Sequence, residues 1–144
     1  MTTAARYFTG EFDHTIDSVN RLIIPSKWRL GQSEELFLFA RDVGRVAVLP
    51  RAEMDKLLQD IHSAPGTSAN EKRDRSRALF SQAVQVTCDK QGRVTLEAKL
   101  LKHAGLKNSV LLVGIGYRFE IWNSKAYQSQ TAAKAAQVSD ELGI

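Results

Sequence analysis

An internal repeat constrains what this chain of 144 residues can fold into more than any other feature of its sequence. Residues 14–24 (HTIDSVNRLII) align with residues 86–96 (VTCDKQGRVTL), and a threonine, an aspartate and an arginine are identical in the two segments. Residues 45–49 align with residues 118–122 once an extra residue is allowed in the intervening loop. Because such repeats are duplicated supersecondary units, we expect two halves of about forty residues with the same local structure.

Each half predicts the same order of elements. Apolar residues alternate with polar ones over residues 12–16 and 84–88, which is typical of a half-buried strand. A turn follows at residues 17–20 and 89–92, where aspartate can hydrogen-bond to the backbone and asparagine or glycine tolerates a positive φ. The rest of each half is predicted as a strand, a short helical segment and two strands, at residues 21–24, 26–30, 36–40 and 45–49 in the first half and 93–96, 98–103, 110–113 and 117–122 in the second.

Glycine-containing segments are expected to connect the last two strands of each half. These are residues 42–44 (Asp-Val-Gly) and 114–116 (Gly-Ile-Gly), and tight hairpins favour glycine. Residues 114–116 also resemble part of a phosphate-binding loop, but the next glycine and a following helix are missing, so a hairpin is the better interpretation. Helices are predicted for residues 51–61, 71–81 and 124–138, the first of them with an apolar face.

The two halves are expected to share one domain. A single half would leave sheet edges and an apolar face exposed, whereas two halves related by pseudo-symmetry would cover each other. The predicted fold class is therefore α+β, mainly β with helices, in one barrel-like domain. The predicted division is residues 11–53 for the first repeat, 54–82 for a helical connection, 83–126 for the second repeat and 127–144 for a C-terminal helix or tail.

Composition narrows the class of protein. Hydrophobic residues make up 43% and charged residues 25%, which is normal for a soluble globular domain. The single cysteine, Cys88, excludes an intrachain disulfide and a zinc site built on several thiolates, and it fits a reducing compartment. No apolar stretch has the length of a signal peptide or a membrane span, so we expect a cytosolic protein with no membrane partner. The net charge of +4 permits a nucleic-acid partner without establishing one.

The repeated Asp-x-x-x-Arg motif, Asp17 with Arg21 and Asp89 with Arg93, has two interpretations. In the structural one, the aspartate caps the turn and the arginine pairs with it. In the functional one, the guanidinium is presented at a rigid tip, where it meets a phosphate or a guanine. A single match would be weak, but two matches at equivalent positions of a duplicated unit favour a shared role.

The segments that carry these motifs resemble the MraZ family of bacterial transcriptional regulators. The resemblance rests on residues 10–17, 21–25, 48–50, 89–94, 104–106 and 113–122. It implies two AbrB-like (SpoVT-AbrB) swapped-hairpin repeats that form a pseudo-twofold barrel of double-psi type. It also implies a nucleoid-associated repressor that binds repeated boxes in double-stranded DNA, ahead of the division and cell-wall gene cluster, as a ring-shaped homo-oligomer. It implies no cofactor, no metal ion and no small-molecule substrate.

The resemblance assigns roles to individual residues. DNA contacts are expected from Arg21, Arg93, Lys27, Lys90 and Lys99, and the turns are expected to be shaped by Asp17, Asn20, Asp89 and Gly92. Three positions depart from the family pattern. Met54 replaces the aromatic residue often found on the first long helix, which is a conservative change in the core. Asn20 replaces the usual glycine, and asparagine tolerates the left-handed geometry. Glu97 replaces the usual proline and adds negative charge near the second motif, so unequal DNA contacts from the two halves are expected.

Other interpretations stay open at this point. An AbrB-like antitoxin module would use its C-terminal helix to bind a protein partner. An enzyme on a double-psi barrel would need convergent acidic or histidine side chains, and no such set is evident, so we expect no enzymatic activity. Arg73, Arg75 and Arg77 either form a solvated helix face, line a subunit interface or approach DNA. His14 is expected on a strand face rather than as a metal ligand.

Overall fold

The structure is a computed structural model that describes residues 6–31, 33–41 and 44–144. The strands in these ranges are β1 (Glu11–Thr15), β2 (Arg21–Ile23), β3 (Glu35–Arg41), β4 (Arg45–Pro50), β5 (Val84–Thr87), β6 (Arg93–Thr95), β7 (Ser109–Gly114) and β8 (Phe119–Asn123). The helices are α1 (Arg51–Ser63), α2 (Ala69–Gln82), α3 (Ala98–Ala104), α4 (Ser124–Gln130) and α5 (Ala132–Glu141), and a 3₁₀ turn covers Ser26–Trp28. Asp42 and Val43 of the first predicted hairpin turn lie outside the described residues.

The strand order is symmetric about the centre of the chain. Six strands form an antiparallel sheet in the order β1-β7-β8-β4-β3-β5, and β2 pairs with β6 in a second sheet. If β1–β4 and β5–β8 exchange their places, each sheet keeps the same order of strands, read from its opposite edge. The register obeys the same symmetry, since Val46 pairs with Ile121 and Val48 with Phe119 in the central β4–β8 ladder. The sequence repeat thus corresponds to a pseudo-twofold axis between β4 and β8.

Each half donates its first strand to the other half. The hairpins β3–β4 and β7–β8 are formed within one half. The outer strands are exchanged, however, because β1 pairs with β7 and β5 pairs with β3. The small sheet is also shared, with one strand from each half.

The predicted mixed class of strands and helices is confirmed. The predicted closed barrel is not formed by the ladders of the described residues, because β1 and β5 stand at the two edges of the six-stranded sheet. The reason is that β2 and β6 pair only with each other and form a separate ribbon, which does not extend the ladder from one edge strand to the other.

Both halves contribute to one hydrophobic core. Leu22 and Leu112 are fully shielded from solvent, as is Val46. Trp28 is 1% exposed and lies at the aromatic centre of the core, where its ring contacts those of Phe8, Phe12 and Phe119 at centroid distances of 4.8 to 5.6 Å. Cys88 is buried in the same cluster, so it acts as a small core hydrophobe.

Helices α1 and α4 lie on the face of the six-stranded sheet opposite the core, whereas α3 packs into the core itself. Helix α1 packs on β3 and β4, and α4 packs on β7 and β8, as the pseudo-symmetry requires. The predicted last helix is instead two helices, because Thr131 has φ −128° and ψ −32° and interrupts the helical backbone. Its amide still donates to the carbonyl of Tyr127 at 2.9 Å, so the helix ends there and restarts.

The hairpin expected at residues 114–116 is present and is locked by the N-terminal segment. The Ile115 amide donates to the carbonyl of Arg118 at 3.0 Å, and Phe8 and Gly116 exchange two backbone hydrogen bonds. A Cβ at Gly114 would overlap the Phe8 carbonyl. Glycine therefore permits a close backbone approach here, and the partial likeness to a phosphate-binding loop has no structural counterpart.

Candidate nucleic-acid interface

The two Asp-x-x-x-Arg turns are neighbours because β2 and β6 pair with each other. Arg21 lies opposite Thr95, and Ile23 lies opposite Arg93. The middle pair, Leu22 and Val94, points into the core, so the alternation of the strands places both arginines on the outer face of the β2–β6 ribbon. They are diagonal neighbours on that face, and such positions in antiparallel pairs are roughly 7–8 Å apart.

Two further hydrogen bonds fix one turn relative to the other. The Ile24 amide donates to the carbonyl of Gly92 at 2.8 Å, and the Leu96 amide donates to the carbonyl of Asn20 at 2.7 Å. Each bond joins the end of one strand to the turn of the other half. The two turns therefore form one rigid unit rather than two independent loops.

Each aspartate organises its own turn. Oδ1 of Asp17 accepts hydrogen bonds from the amides of Val19 at 3.0 Å and Arg21 at 2.8 Å, while Oδ2 accepts from Arg21 Nε at 2.9 Å. The backbone closes the turn, because the Asn20 amide donates to the Asp17 carbonyl at 3.0 Å. The carboxylate thus satisfies the turn amides and orients the arginine at the same time.

The second turn repeats this geometry. Oδ1 of Asp89 accepts from the amides of Gln91 and Arg93, both at 2.9 Å, and Oδ2 accepts from Arg93 Nε at 2.8 Å. The left-handed position that ends each turn is Asn20 with φ 64° in the first half and Gly92 with φ 82° in the second. The replacement of glycine by Asn20 therefore preserves the turn, as the sequence predicts.

Both interpretations of the motif are compatible with this geometry. The aspartate caps the turn and pairs with the arginine, as the structural interpretation predicts. The pairing uses only Nε, however, and a guanidinium has four further N–H donors. The side chains of Arg21 and Arg93 are 40% and 36% exposed, and the one terminal-nitrogen contact within the described residues is a 3.4 Å bond from Arg93 to Gln91. The terminal nitrogens can therefore donate to a ligand while Asp17 and Asp89 hold the orientation.

Acid is expected to loosen both turns only below the usual pKa of an aspartate. The Arg21 amide lowers the pKa of Asp17 below 3.8, helped by the Arg21 side chain and the Val19 amide, and the Arg93 amide does the same for Asp89. Because these pKa values are depressed on folding, the stabilisation is complete above the unfolded pKa and is lost as the pH falls through the folded values. Carboxyl ¹³C NMR titration should give midpoints below the ordinary pKa of an aspartate for both residues. A midpoint at or above that ordinary pKa would contradict the hydrogen-bond geometry.

The three predicted lysines lie on different elements of the fold. Lys90 is exposed within the second turn, and Lys99 is exposed in the first turn of α3. Neither forms a hydrogen bond or an ion pair with any part of the chain that the structure describes. Lys27 is held elsewhere, because its Nζ lies 4.9 Å from the centre of the Phe12 ring, beside β1.

The position of Glu97 differs from the sequence expectation. In sequence it follows the second motif, but β6 runs away from that turn toward the first one. Glu97 comes directly after Leu96, whose amide is bonded to the carbonyl of Asn20. The predicted extra negative charge therefore lies at the end of the ribbon that carries Asn20 and Arg21. The antiparallel pairing of β2 and β6 is the physical reason.

The sequence patterns do not predict two features of this surface, which are exposed apolar side chains and an additional arginine. Val19 and Ile23 are 56% and 49% exposed on the first turn and the ribbon. The Arg29 side chain, from beyond the 3₁₀ turn, lies against Gly92 of the second turn. Comparison of the two repeats could have identified Arg29, because the equivalent residue in the second half is the apolar Leu101.

The described residues were also searched for a metal site and for a membrane-spanning helix. No group of three or more histidine, cysteine, aspartate or glutamate side chains is placed to hold a metal ion among these residues. A search of the same residues finds no helix with the length and apolar character needed to cross a membrane.

Comparisons with known proteins identify the family. Residues 79–142 match the family described as "MraZ protein, putative antitoxin-like". A relative named "Transcriptional regulator MraZ" from Pediococcus pentosaceus is 38% identical over 138 residues, which cover 94% of this chain and 93% of the relative. The chain belongs to the MraZ family. The resemblance inferred from the motifs is thereby confirmed.

Further MraZ relatives extend the match over both repeats. Proteins of the same name from Limosilactobacillus fermentum and Leuconostoc citreum are 38% and 36% identical. Those alignments cover 90% and 92% of this chain, and the same shares of the relatives. The family match over residues 79–142 spans only the second half, so these longer alignments show that the first half belongs to MraZ as well.

Proposed function

We propose that this protein is a DNA-binding transcriptional regulator, and no enzyme. It acts as a repressor that binds repeated boxes in double-stranded DNA ahead of the division and cell-wall gene cluster. The observation that carries the proposal is the pair of carboxylate-oriented guanidinium groups on one face of the β2–β6 ribbon. The names of the relatives, each a transcriptional regulator, support it.

The ribbon suits the groove of a duplex. A two-stranded antiparallel ribbon fits the major groove of B-form DNA, and arginine is the side chain that most often contacts guanine there. In this proposal Arg21 and Arg93 supply base and phosphate contacts, while Lys90 and Lys99 supply phosphate contacts at the edges. Asp17, Asn20, Asp89 and Gly92 shape the turns. Lys27 contributes long-range charge from its place beside Phe12.

Assembly compensates for the modest charge of one chain. A net charge of +4 gives a single subunit little electrostatic affinity at physiological salt. A ring-shaped homo-oligomer that engages several boxes at once would gain from a high effective concentration. The proposal therefore includes a homo-oligomeric ring, cytoplasmic and nucleoid-associated, that works without a cofactor, a small-molecule substrate or a membrane.

The exchange of strands between the halves supports a more specific fold. We propose that the six-stranded sheet and the β2–β6 ribbon together are the single-chain form of two AbrB-like swapped hairpins, related to a double-psi barrel. The proposed units are residues 11–53 and 83–126, joined by the helices in 54–82 and followed by 127–144. The placement of α1 and α2 between β4 and β5 supports a helical connection between the two units.

Footprinting on the duplex upstream of the protein's own gene tests the function. We expect protection of several short repeats, with a spacing that reports the geometry of the assembly. Cooperative protection of all repeats over a narrow range of protein concentration would support the ring. Absence of protection at micromolar protein and low salt would refute the DNA-binding proposal.

A second candidate is an antitoxin-type module with a protein partner. The family description includes the term antitoxin-like, and the C-terminal region exposes Val138 and Leu142. This candidate predicts that deletion of residues 131–144 abolishes complex formation with a partner encoded beside the gene and leaves the footprint intact. A deletion that instead abolishes the footprint would show that these residues serve DNA binding or assembly.

A further inference from the structure

The side chain of Arg29, from the first half of the chain, contacts the second turn at Gly92. A Cβ at Gly92 would overlap the guanidinium of Arg29 and would lie 2.8 Å from its Cδ. The Arg29 side chain therefore occupies the space beside Gly92 that any other residue type would fill. Gly92 is buried even though it lies in a turn. Glycine at this position therefore leaves the room that Arg29 occupies, and it also adopts the φ of 82° without strain.

The Arg29 guanidinium lacks the partner that comparable arginines have. Arg29 is half-buried, and its Nε is shielded from solvent without a hydrogen bond. No carboxylate within the described ranges pairs with it. Every other half-buried arginine in those ranges forms an ion pair with an aspartate or a glutamate; these are Arg6, Arg21, Arg45, Arg93 and Arg118. An unpaired, partly desolvated cation is costly, and an anionic ligand would remove that cost.

The internal repeat allows Arg29 and Gly92 to be compared with the equivalent residues of the other half. The residue equivalent to Arg29 in the second half is Leu101, which packs against the core. The residue equivalent to Gly92 in the first half is Asn20, which carries a side chain. The additional cation and the glycine that accommodates it therefore occur together, on the second turn only. The first turn instead has Glu97 at its end of the ribbon.

We propose that Arg29 is a phosphate-binding residue of the second turn, acting beside Arg93. This inference rests on the proposed DNA-binding function and adds to it. Arg93 Nε donates to Asp89, whereas no carboxylate of the described residues pairs with Arg29. The second turn then holds the DNA backbone more tightly than the first, so the two halves contribute unequally. The contact is sequence-independent, as phosphate contacts are.

Replacing Arg29 with methionine tests the charge while keeping the aliphatic stem. With the duplex upstream of the protein's own gene as the probe, we expect Arg29→Met to weaken binding about tenfold near 0.1 M salt. The slope of log affinity against log salt should fall by about one for each bound subunit. Arg29→Lys, which keeps a cation, should retain the wild-type slope. Arg51→Met, a charge loss on the exposed start of α1, is the matched control and should change neither quantity.

Gly92→Asn tests the contact between Arg29 and the second turn. It places at position 92 the asparagine that the first turn has at position 20. Asparagine tolerates the left-handed backbone, but its Cβ displaces the Arg29 guanidinium. We expect the same loss as in Arg29→Met, and no further loss in the double variant, because both changes remove one interaction. Additive losses, or an Arg29→Lys variant that binds like Arg29→Met, would assign Arg29 a structural role and overturn the inference.

A readout without DNA separates this inference from the proposed function. Titration of the protein with inorganic phosphate should shift the Nε–Hε NMR signal of Arg29 and leave that of Arg51 unchanged. If the wild type protects no DNA and the Arg29 signal still shifts, the DNA-binding proposal fails and the anion site stands. If the wild type binds DNA and Arg29→Met has the wild-type affinity and salt slope, only the inference on Arg29 fails.

Discussion

Replacing Arg21 with alanine is expected to abolish DNA binding while leaving the fold and the oligomer intact. The Asp17 carboxylate accepts its Oδ1 hydrogen bonds from backbone amides, so the turn survives the loss of the side chain. The substitution removes the aliphatic stem and the guanidinium, and charge-assisted bonds to phosphate or guanine depend on the guanidinium. In a ring the loss recurs in every subunit, so we expect affinity to fall by about a hundredfold or more.

Gel-shift assays on the upstream duplex measure this effect, and size-exclusion chromatography checks the oligomer. Arg77→Ala is the matched control, since Arg77 is exposed on α2 and paired with Asp74 at 2.9 Å. It should bind with nearly wild-type affinity. Arg93→Ala should weaken binding as well, although Arg29 retains part of the phosphate contact on that turn. An Arg21→Ala variant that shifts DNA like the wild type would show that the ribbon is not the interface.

Replacing Trp28 with alanine is expected to have the largest effect on stability. The Trp28 ring is 1% exposed and contacts Phe8 and Phe119. Its Nε1 also donates to the carbonyl of Thr9 at 3.0 Å. Truncation of a large buried aromatic costs about 3–5 kcal/mol in the free energy of unfolding, through lost burial and the cavity left behind. That is a large fraction of the total for a domain of this size.

Chemical denaturation followed by circular dichroism measures the loss, because this signal does not depend on the deleted tryptophan. Trp28→Phe keeps much of the buried volume and loses the hydrogen bond, so it should cost clearly less. Leu30→Ala lies nearby but is 58% exposed, and it should change stability by about 0.5 kcal/mol or less. A loss below about 1 kcal/mol for Trp28→Ala would contradict the central place of this ring.

Local patterns in the sequence predict the elements of this fold well, whereas the pairing of distant strands needs other information. Alternation over residues 84–88 predicts strand β5, and the Asp-x-x-Gly pattern that follows predicts its turn. Alternation says which face of a strand is buried, but it does not say which strand lies beside it. The pairing of β5 with β3 of the first half therefore could not be read from periodicity.

The same limit applies to the candidate site. The repeated motif identifies Arg21 and Arg93 because their spacing from the aspartates is local. The crossing of Arg29 onto Gly92 joins residues far apart in the chain, and no local rule connects them. Its sequence position predicts Glu97 near the second turn, but the direction of β6 brings it to the first. Charge placement in the ribbon is thus a property of the pairing, not of the order along the chain.

The exchange of edge strands also bears on how the chain folds during synthesis. Strand β1 leaves the ribosome first, yet its partner β7 begins only at Ser109. The apolar residues of the first half, such as Leu36 and Leu38, therefore stay uncovered until most of the protein has been made. Contacts so distant in sequence slow folding and prolong the exposure of apolar surface. We expect nascent chains of this protein to expose this apolar surface until β7 and β8 emerge.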